Sequence, residues 1–144
     1  MEFRGFETPD LNGDGKRDLL VRGVDRIGVW LAGEKCSILE EMDEPYESPD
    51  KDSSFLDVSA GDVNADGSVD AVLVDSGRKG LCIVTAGKAG LEHALKFRVF
   101  EEKLFHGRRG SSEPHGVYVH DLTGDGKKDV IVLVHDKIII YPQG

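Results

Sequence analysis

Short apolar runs rich in β-branched residues alternate with turn residues along the whole chain. None of them has the 3.6-residue period of a long amphipathic helix, whereas runs of this length and composition are typical of β-strands. Gly and Asp mark tight hairpin turns between many of them. The pattern predicts an all-β protein with strands at Phe3–Phe6, Leu19–Arg22, Ile27–Ala32, Ser37–Glu41, Phe55–Ser59, Ala71–Asp75, Leu81–Thr85, Ala94–Phe100, Val117–His120, Val130–Val134 and Ile138–Tyr141.

Three nine-residue segments repeat one pattern, and each lies between two predicted strands. We call them loop one (Asp10–Asp18), loop two (Asp62–Asp70) and loop three (Asp121–Asp129), and their starts are 52 and 59 residues apart. Each has Asp at positions one, five and nine and Gly at position six, where the chain must turn sharply. Self-similarity at this spacing, with about four strands per repeat, is typical of the blades of a β-propeller.

The repeats predict one domain of consecutive four-stranded antiparallel blades. Residues 1–144 form a single β-propeller-type domain with blades at about 1–45, 54–102 and 115–144, the last ending after its third strand. An open arc of about three blades leaves two apolar faces uncovered. We therefore expect a homo-oligomer that completes the propeller, for which a two-fold dimer is the simplest closure, or neighbouring blades in a longer chain.

The acidic residues are concentrated in the three loops. The net charge is −9, and nine of the 27 acidic residues lie in these loops. Two carboxylates about 5 Å apart repel by on the order of 3 kcal/mol at an effective dielectric near 20, so the loops predict a bound cation. Oxygen ligands at positions one, three, five and nine with a carbonyl at seven suit Ca²⁺ better than Mg²⁺, which demands a smaller octahedral shell. The alternative is that they are ordinary Asp/Asn/Gly turns.

Other loop classes and partners fit the sequence less well. Position twelve is Val21, Leu73 or Val132 rather than the Glu of an EF-hand. Asp18 and Asp129 replace the last glycine of a phosphate-binding fingerprint. The negative charge argues against nucleic acid or an anionic membrane surface as a partner, and the longest apolar run is too short for a membrane span.

The loops, with the strand on either side of each, resemble the FG-GAP/VCBS-type repeats of integrin α-subunit propellers and many bacterial surface proteins. This resemblance covers nearly the whole chain and implies that each loop joins the first two strands of a blade and holds Ca²⁺, up to three ions in all. The chain has no Gly-Ala-Pro element, and Ala65 replaces a loop glycine in loop two. Thr123 replaces Asn, which makes loop three the weakest expected site. By position, the implied ligands are Asp10, Asn12, Asp14, the Lys16 carbonyl and Asp18; Asp62, Asn64, Asp66, the Ser68 carbonyl and Asp70; and Asp121, Thr123, Asp125, the Lys127 carbonyl and Asp129.

The chain shows no G-x-S-x-G or H-E-x-x-H motif, so we expect a non-enzymatic module that binds a protein or glycan, as in adhesion. The alternatives are a propeller domain of a secreted carbohydrate-active enzyme, or a lectin. Structural calcium sites fill outside cells, which predicts a secreted, periplasmic or surface protein whose leader was removed or lies outside this sequence.

Two further features have open interpretations. Cys36 and Cys82 are expected to be small buried hydrophobes, with a single disulfide between them as the alternative. The basic segment His106–Ser112 is expected to be a solvated loop, with a contact loop for an acidic partner or glycan as the alternative.

Overall fold

The protein is all-β. The computed structural model describes residues 2–33, 39–41, 46–87, 90–99 and 114–144, and this part of the chain contains no helix. It accordingly contains no helix long and apolar enough to span a membrane. The strands are β1 (Gly5–Glu7), β2 (Leu19–Arg22), β3 (Arg26–Ala32), β4 (Leu39–Glu41), β5 (Tyr46–Glu47), β6 (Phe55–Gly61), β7 (Asp70–Asp75), β8 (Gly80–Gly87), β9 (Gly90–Arg98), β10 (Gly116–His120), β11 (Asp129–Val134) and β12 (Lys137–Tyr141).

The strands form three antiparallel sheets in chain order. Sheet 1 has the order β1-β2-β3-β4, sheet 2 the order β6-β7-β8-β9, and sheet 3 the order β10-β11-β12. In sheet 1, β4 and β5 share one edge of β3, where Ala32 pairs with Leu39 and Ile27 pairs with Tyr46. Within the described strands each sheet remains open.

Most predicted strands lie on observed ones, but several predicted limits are wrong. The first strand is Gly5–Glu7 rather than Phe3–Phe6. The strand predicted from Ala94 begins at Gly90 and ends at Arg98. The two-residue strand Tyr46–Glu47 was not predicted, so sheet 1 has five strands rather than four. Residues 34–38, with Cys36 and the start of Ser37–Glu41, and the basic segment His106–Ser112 lie outside the described residues.

Sheet 2 lies between the other two sheets and packs against both. Ala71 and Leu73 of β7 belong to the core shared with sheet 1, whereas Val72 and Val74 belong to the core shared with sheet 3. Both faces of β7 are therefore buried, which explains why its sequence is a continuous apolar run rather than an alternating one.

Side chains of β6 attach the edge of β10 to sheet 2. The Val117 NH donates to Asp57 Oδ2 at 3.1 Å, and the Val119 NH donates to Ser59 Oγ at 3.1 Å. A Cβ atom at Gly61 would lie 2.5 Å from Val119 Cγ1, so only glycine fits this approach. The first strands of sheets 2 and 3 are thus held side by side.

The join between sheets 1 and 2 uses a buried arginine. The Arg22 guanidinium donates to the Phe55 carbonyl and, at 2.9 Å, to the Arg4 carbonyl. The Phe55 NH donates to the Val24 carbonyl at 2.6 Å. These bonds connect the start of β6 to the β2–β3 hairpin of sheet 1.

Candidate metal-binding loops

The three loops occupy the same place in their sheets and have left-handed backbone at the same two positions. Each joins the first strand of its sheet to the second. Positions four and six have left-handed backbone, the region where glycine is favoured. The φ angles are 75° and 83° at Gly13 and Gly15, 59° and 87° at Ala65 and Gly67, and 78° and 88° at Gly124 and Gly126.

In loop one, side-chain oxygens collect around backbone NH groups. Asp10 accepts hydrogen bonds from the NH groups of Gly13 at 2.8 Å, Asp14 at 3.1 Å and Gly15 at 2.8 Å. Asn12 Oδ1 accepts from the same Asp14 NH at 3.1 Å, and Asn12 Nδ2 donates to Asp14 Oδ2 at 3.3 Å. The side chains of positions one, three and five are therefore brought together.

Loop two repeats this arrangement. The Asp66 NH donates to Asp62 Oδ1 at 3.2 Å and to Asn64 Oδ1 at 3.0 Å, and Asn64 Nδ2 donates to Asp66 Oδ2 at 2.9 Å. The Gly67 NH donates to Asp62 Oδ2 at 2.9 Å, and the Ser68 NH donates to Asp66 Oδ1 at 2.7 Å.

Loop three keeps the bonds at positions one and five but differs at position three. Asp121 accepts from the NH groups of Gly124 at 2.6 Å and Gly126 at 2.9 Å, and Asp125 Oδ1 accepts from the Lys127 NH at 2.9 Å. Unlike Asn12 and Asn64, Thr123 has no side-chain amide that could donate to the carboxylate at position five. Its NH donates to Asp129 Oδ2 at 3.0 Å instead.

At position seven of loop one, the lysine adds a positive charge beside the carboxylates. The Lys16 NH donates to Asp14 Oδ1 at 2.9 Å and lowers the pKa of Asp14. Lys16 Nζ lies 3.7 Å from Asp14 Oδ2 and donates to the Gly33 carbonyl at 3.1 Å. Part of the repulsion in loop one is thus relieved by the chain itself.

The carboxylate at position nine is buried in all three loops. One of its oxygens, Oδ2, accepts a hydrogen bond from the NH of the second loop residue, which closes the loop at its base. These bonds join Leu11 to Asp18 at 2.7 Å, Val63 to Asp70 at 3.0 Å, and Leu122 to Asp129 at 2.9 Å.

The other oxygen at position nine distinguishes loop two. Asp18 Oδ1 accepts from the Ala32 NH at 2.8 Å, and Asp129 Oδ1 accepts from the Gln143 NH at 3.0 Å. Asp70 Oδ1 is buried and has no hydrogen-bond partner.

The pKa values of Asp129 and Asp70 are shifted in opposite directions. The Gln143 NH lowers the pKa of Asp129. Burial raises the pKa of Asp70, and the neighbouring charges of Asp66 and Asp62 raise it further, although the Val63 NH bonded to Oδ2 opposes them.

The donor chemistry of the loops fits a hard cation. Positions one, three and five offer two carboxylates and one neutral oxygen in each loop, and Ca²⁺ takes such oxygen ligands. A buried carboxylate oxygen without a partner is costly, and Asp70 Oδ1, in the same loop as Asp62 and Asp66, is such an oxygen. Among the described residues, however, no three His, Cys, Asp or Glu side chains converge as a ready-made metal centre.

No family model matches this chain, and no curated protein matches it. The resemblance to FG-GAP/VCBS-type repeats therefore rests on the loop residues and stays a prediction.

A second group of charged side chains, which the sequence reasoning missed, surrounds Asp75 at the end of β7. Asp75 is buried and accepts from the Ser53 hydroxyl at 2.7 Å and the Ser54 NH at 3.0 Å, and it lies 2.9 Å from Lys96 Nζ. Burial would raise the pKa of Asp75, but the bonds from Lys96, Ser53 and the Ser54 NH outweigh it and lower the pKa.

An ion pair at the surface extends this group. Arg78 pairs with Asp50 and holds the pKa of Asp50 down at about 2. The partners come from segments more than 20 residues apart, so no local pattern could have revealed them.

Cys82 carries a free, buried thiol, as expected for a small hydrophobe. Its Sγ lies 3.6 Å from the Tyr46 hydroxyl, and burial raises the pKa of the thiol. A buried thiol of raised pKa is a poor nucleophile, so we assign Cys82 to packing.

Proposed function

We propose that this chain is a calcium-binding, non-enzymatic β-propeller-type module that serves in binding or adhesion. In this proposal each sheet is a blade and each loop holds one Ca²⁺ in a structural role. The ion neutralises the loop carboxylates and fixes the connection between the first two strands of its sheet.

One observation carries the calcium part of the proposal. Three loops far apart in sequence place oxygen-bearing side chains at the same positions around a backbone that is left-handed at positions four and six, and each ends in a buried carboxylate. The side chains that would hold the ions are those at positions one, three, five and nine, with the position-seven carbonyl. They are Asp10, Asn12, Asp14 and Asp18; Asp62, Asn64, Asp66 and Asp70; and Asp121, Thr123, Asp125 and Asp129.

The propeller-type arrangement is supported by how the sheets stack. Sheets 2 and 3 connect their strands in chain order, as do the first four strands of sheet 1, and consecutive described sheets pack face to face through two separate apolar cores. Radial repetition of such antiparallel sheets is what builds a propeller. A role outside the cytosol follows from the calcium proposal, because sites of this structural kind fill where calcium is abundant.

The test is thermal unfolding of the full chain in millimolar CaCl₂ and in EDTA. At a free calcium concentration 100-fold above the dissociation constant, each independent site stabilises the native state by about 2.7 kcal/mol. For a chain of this size we expect the melting temperature to rise by roughly 3 °C for each kcal/mol. An equal melting temperature in both solutions would contradict the proposal.

Single-site variants then identify the ligands. Asp14→Asn, Asp66→Asn and Asp125→Asn keep an acceptor oxygen for the loop NH but remove the charge, so each should lower the calcium stoichiometry in isothermal titration calorimetry by one. Asp136→Asn, in the exposed turn between β11 and β12, is the matched control and should leave the stoichiometry unchanged. We expect loop three to bind most weakly, because Thr123 offers no amide oxygen.

A further inference from the structure

The two asparagines of the chain, Asn12 and Asn64, occupy position three of loops one and two. Both are exposed, and the Oδ1 atom of each accepts a hydrogen bond from the NH of position five, at 3.1 Å in loop one and 3.0 Å in loop two. The residue after the asparagine is Gly13 in loop one and Ala65 in loop two, with φ angles of 75° and 59°. The chain therefore holds two equivalent asparagine turns in which the following residue differs by one methyl group.

In loop one, the hydrogen bonds prepare a reaction between the Asn12 side chain and the next backbone nitrogen. The bond from Asn12 Oδ1 to the NH two residues on folds the amide back over the peptide between Asn12 and Gly13. The Gly13 NH donates to Asp10 Oδ1 at 2.8 Å, so a carboxylate is in place to accept the proton of this nitrogen. The Asp14 NH would stabilise the negative charge that develops on Asn12 Oδ1 when Cγ is attacked. Glycine also leaves its nitrogen open to the attack, because it has no Cβ.

We propose that Asn12 is a site of spontaneous deamidation in the folded protein. The Gly13 nitrogen attacks Asn12 Cγ, its proton passes through Asp10 to the departing Nδ2, and ammonia leaves behind a five-membered succinimide ring. Water then opens the ring at one of its two carbonyl groups, which leaves residue 12 as aspartate or as isoaspartate. The reaction consumes only water and releases only ammonia.

The modification changes the chemistry of loop one alone. Asn12 Nδ2 donates to Asp14 Oδ2 at 3.3 Å, and deamidation replaces this donor with a carboxylate oxygen that repels Asp14. Isoaspartate also adds a methylene group to the backbone, at the point where the side chains of positions one, three and five meet. In loop two the Ala65 methyl group hinders the attack, and in loop three Thr123 has no amide to lose. Loop one therefore gains a negative charge as the molecule ages, and this inference does not depend on calcium binding.

Peptide mass spectrometry of the full chain, aged in mildly alkaline buffer with EDTA, tests the site. Deamidation raises the mass of the peptide, and chromatography separates its aspartate and isoaspartate forms. Asn12 should react at least about tenfold faster than Asn64, a barrier difference of about 1.4 kcal/mol. Asn64 is the matched control in the same chain, because its turn has the same Oδ1 hydrogen bond.

Exchanging the two following residues should move the reaction from one loop to the other. Gly13→Ala should slow deamidation of Asn12 to the rate of Asn64, and Ala65→Gly should bring Asn64 to the rate of Asn12. A Cβ at Gly13 meets nothing within 4 Å, so Gly13→Ala adds no steric clash that would prevent folding. Equal rates at Asn12 and Asn64 in the wild-type chain, or rates that the exchange leaves in place, would overturn the inference.

A comparison of folded and urea-unfolded chains tests the part played by Asp10. Asp10→Asn should slow deamidation of Asn12 by about tenfold or more in the folded chain, because the proton acceptor is lost, but should leave the rate in urea unchanged. Circular dichroism checks that the variant is folded. The same rate as wild type in the folded variant would refute the role of Asp10. None of these measurements involves calcium, so the calorimetry described above decides the proposed function separately.

Discussion

At the residue scale, Ala65 is the exception among the loop positions that need left-handed backbone. It has φ 59°, and the equivalent positions in the other loops are Gly13 and Gly124. A side chain in this region costs roughly 1–2 kcal/mol. Substitution by glycine removes this cost, but part of the gain is lost because glycine gives the unfolded chain more conformational freedom. We expect Ala65→Gly to raise the free energy of unfolding by about 0.5–1 kcal/mol in urea titrations.

The reverse substitution serves as the control for this prediction. Gly13 has φ 75° and open space around its would-be Cβ, so Gly13→Ala adds backbone strain without a steric clash. It should lower the free energy of unfolding by a similar amount. If both substitutions shift stability in the same direction, the strain argument is wrong.

The loop spacing predicts the site only in part, and the ninth residue shows why. Equal spacing of Asp10, Asp14 and Asp18 indicates three neighbouring carboxylates, and the structure does bring Asp10 and Asp14 together around Asn12. Asp18, however, is buried and bonded to the NH groups of Leu11 and Ala32. Spacing along the chain does not determine where a carboxylate points, because the Ala32 NH comes from a strand that only the fold places there.

At the element scale, strands were predictable where apolar runs are long and bounded by turns. Leu19–Arg22 was predicted with the observed limits. Tyr46–Glu47 is too short to form a pattern and lies between prolines. The start of β9 was missed because Glu92 and His93 are polar and exposed, so the residues before Ala94 form no apolar run, although they pair with β8.

The buried Asp75 at the end of β7 bonds to the turn before β6 and to Lys96 of β9. Its charge therefore gives a pH-dependent stability. Its pKa is lowered in the folded state, so its contribution is complete above the unfolded value near 3.8 and is lost as the pH falls through the folded value. At pH 7, Asp75→Asn should lower the free energy of unfolding by about 2 kcal/mol, because Lys96 loses a charged partner.

The measurement is urea unfolding in EDTA at pH 7, 5, 3 and 2. The difference between wild type and Asp75→Asn should be constant from pH 7 to 5 and shrink below the unfolded pKa, since the wild-type carboxyl group then becomes protonated. Asp136→Asn should match wild type within about 0.5 kcal/mol at every pH. A difference that grows on acidification would refute this role for Asp75.

At the scale of the whole molecule, each of the two apolar cores lies between two sheets, so the stability of a sheet depends on the sheet packed against it. Sheet 1 and sheet 3 each contribute to one core, whereas sheet 2 contributes to both. In such stacked repeats a defect acts mainly on its own unit and the adjacent one.

The net charge, in contrast, is a property of the whole chain. Three bound Ca²⁺ would change the formal net charge from −9 to −3.

Core substitutions at the two ends should therefore have separate effects. Val132→Ala removes a buried side chain from the core between sheets 2 and 3, at a cost of about 2 kcal/mol. Native-state hydrogen exchange should then accelerate in β10–β12 but stay unchanged in β2 and β3, and Val29→Ala should give the opposite result. Uniform acceleration along the chain would show that the three sheets unfold as one unit, because only a fully cooperative stack spreads a local defect evenly.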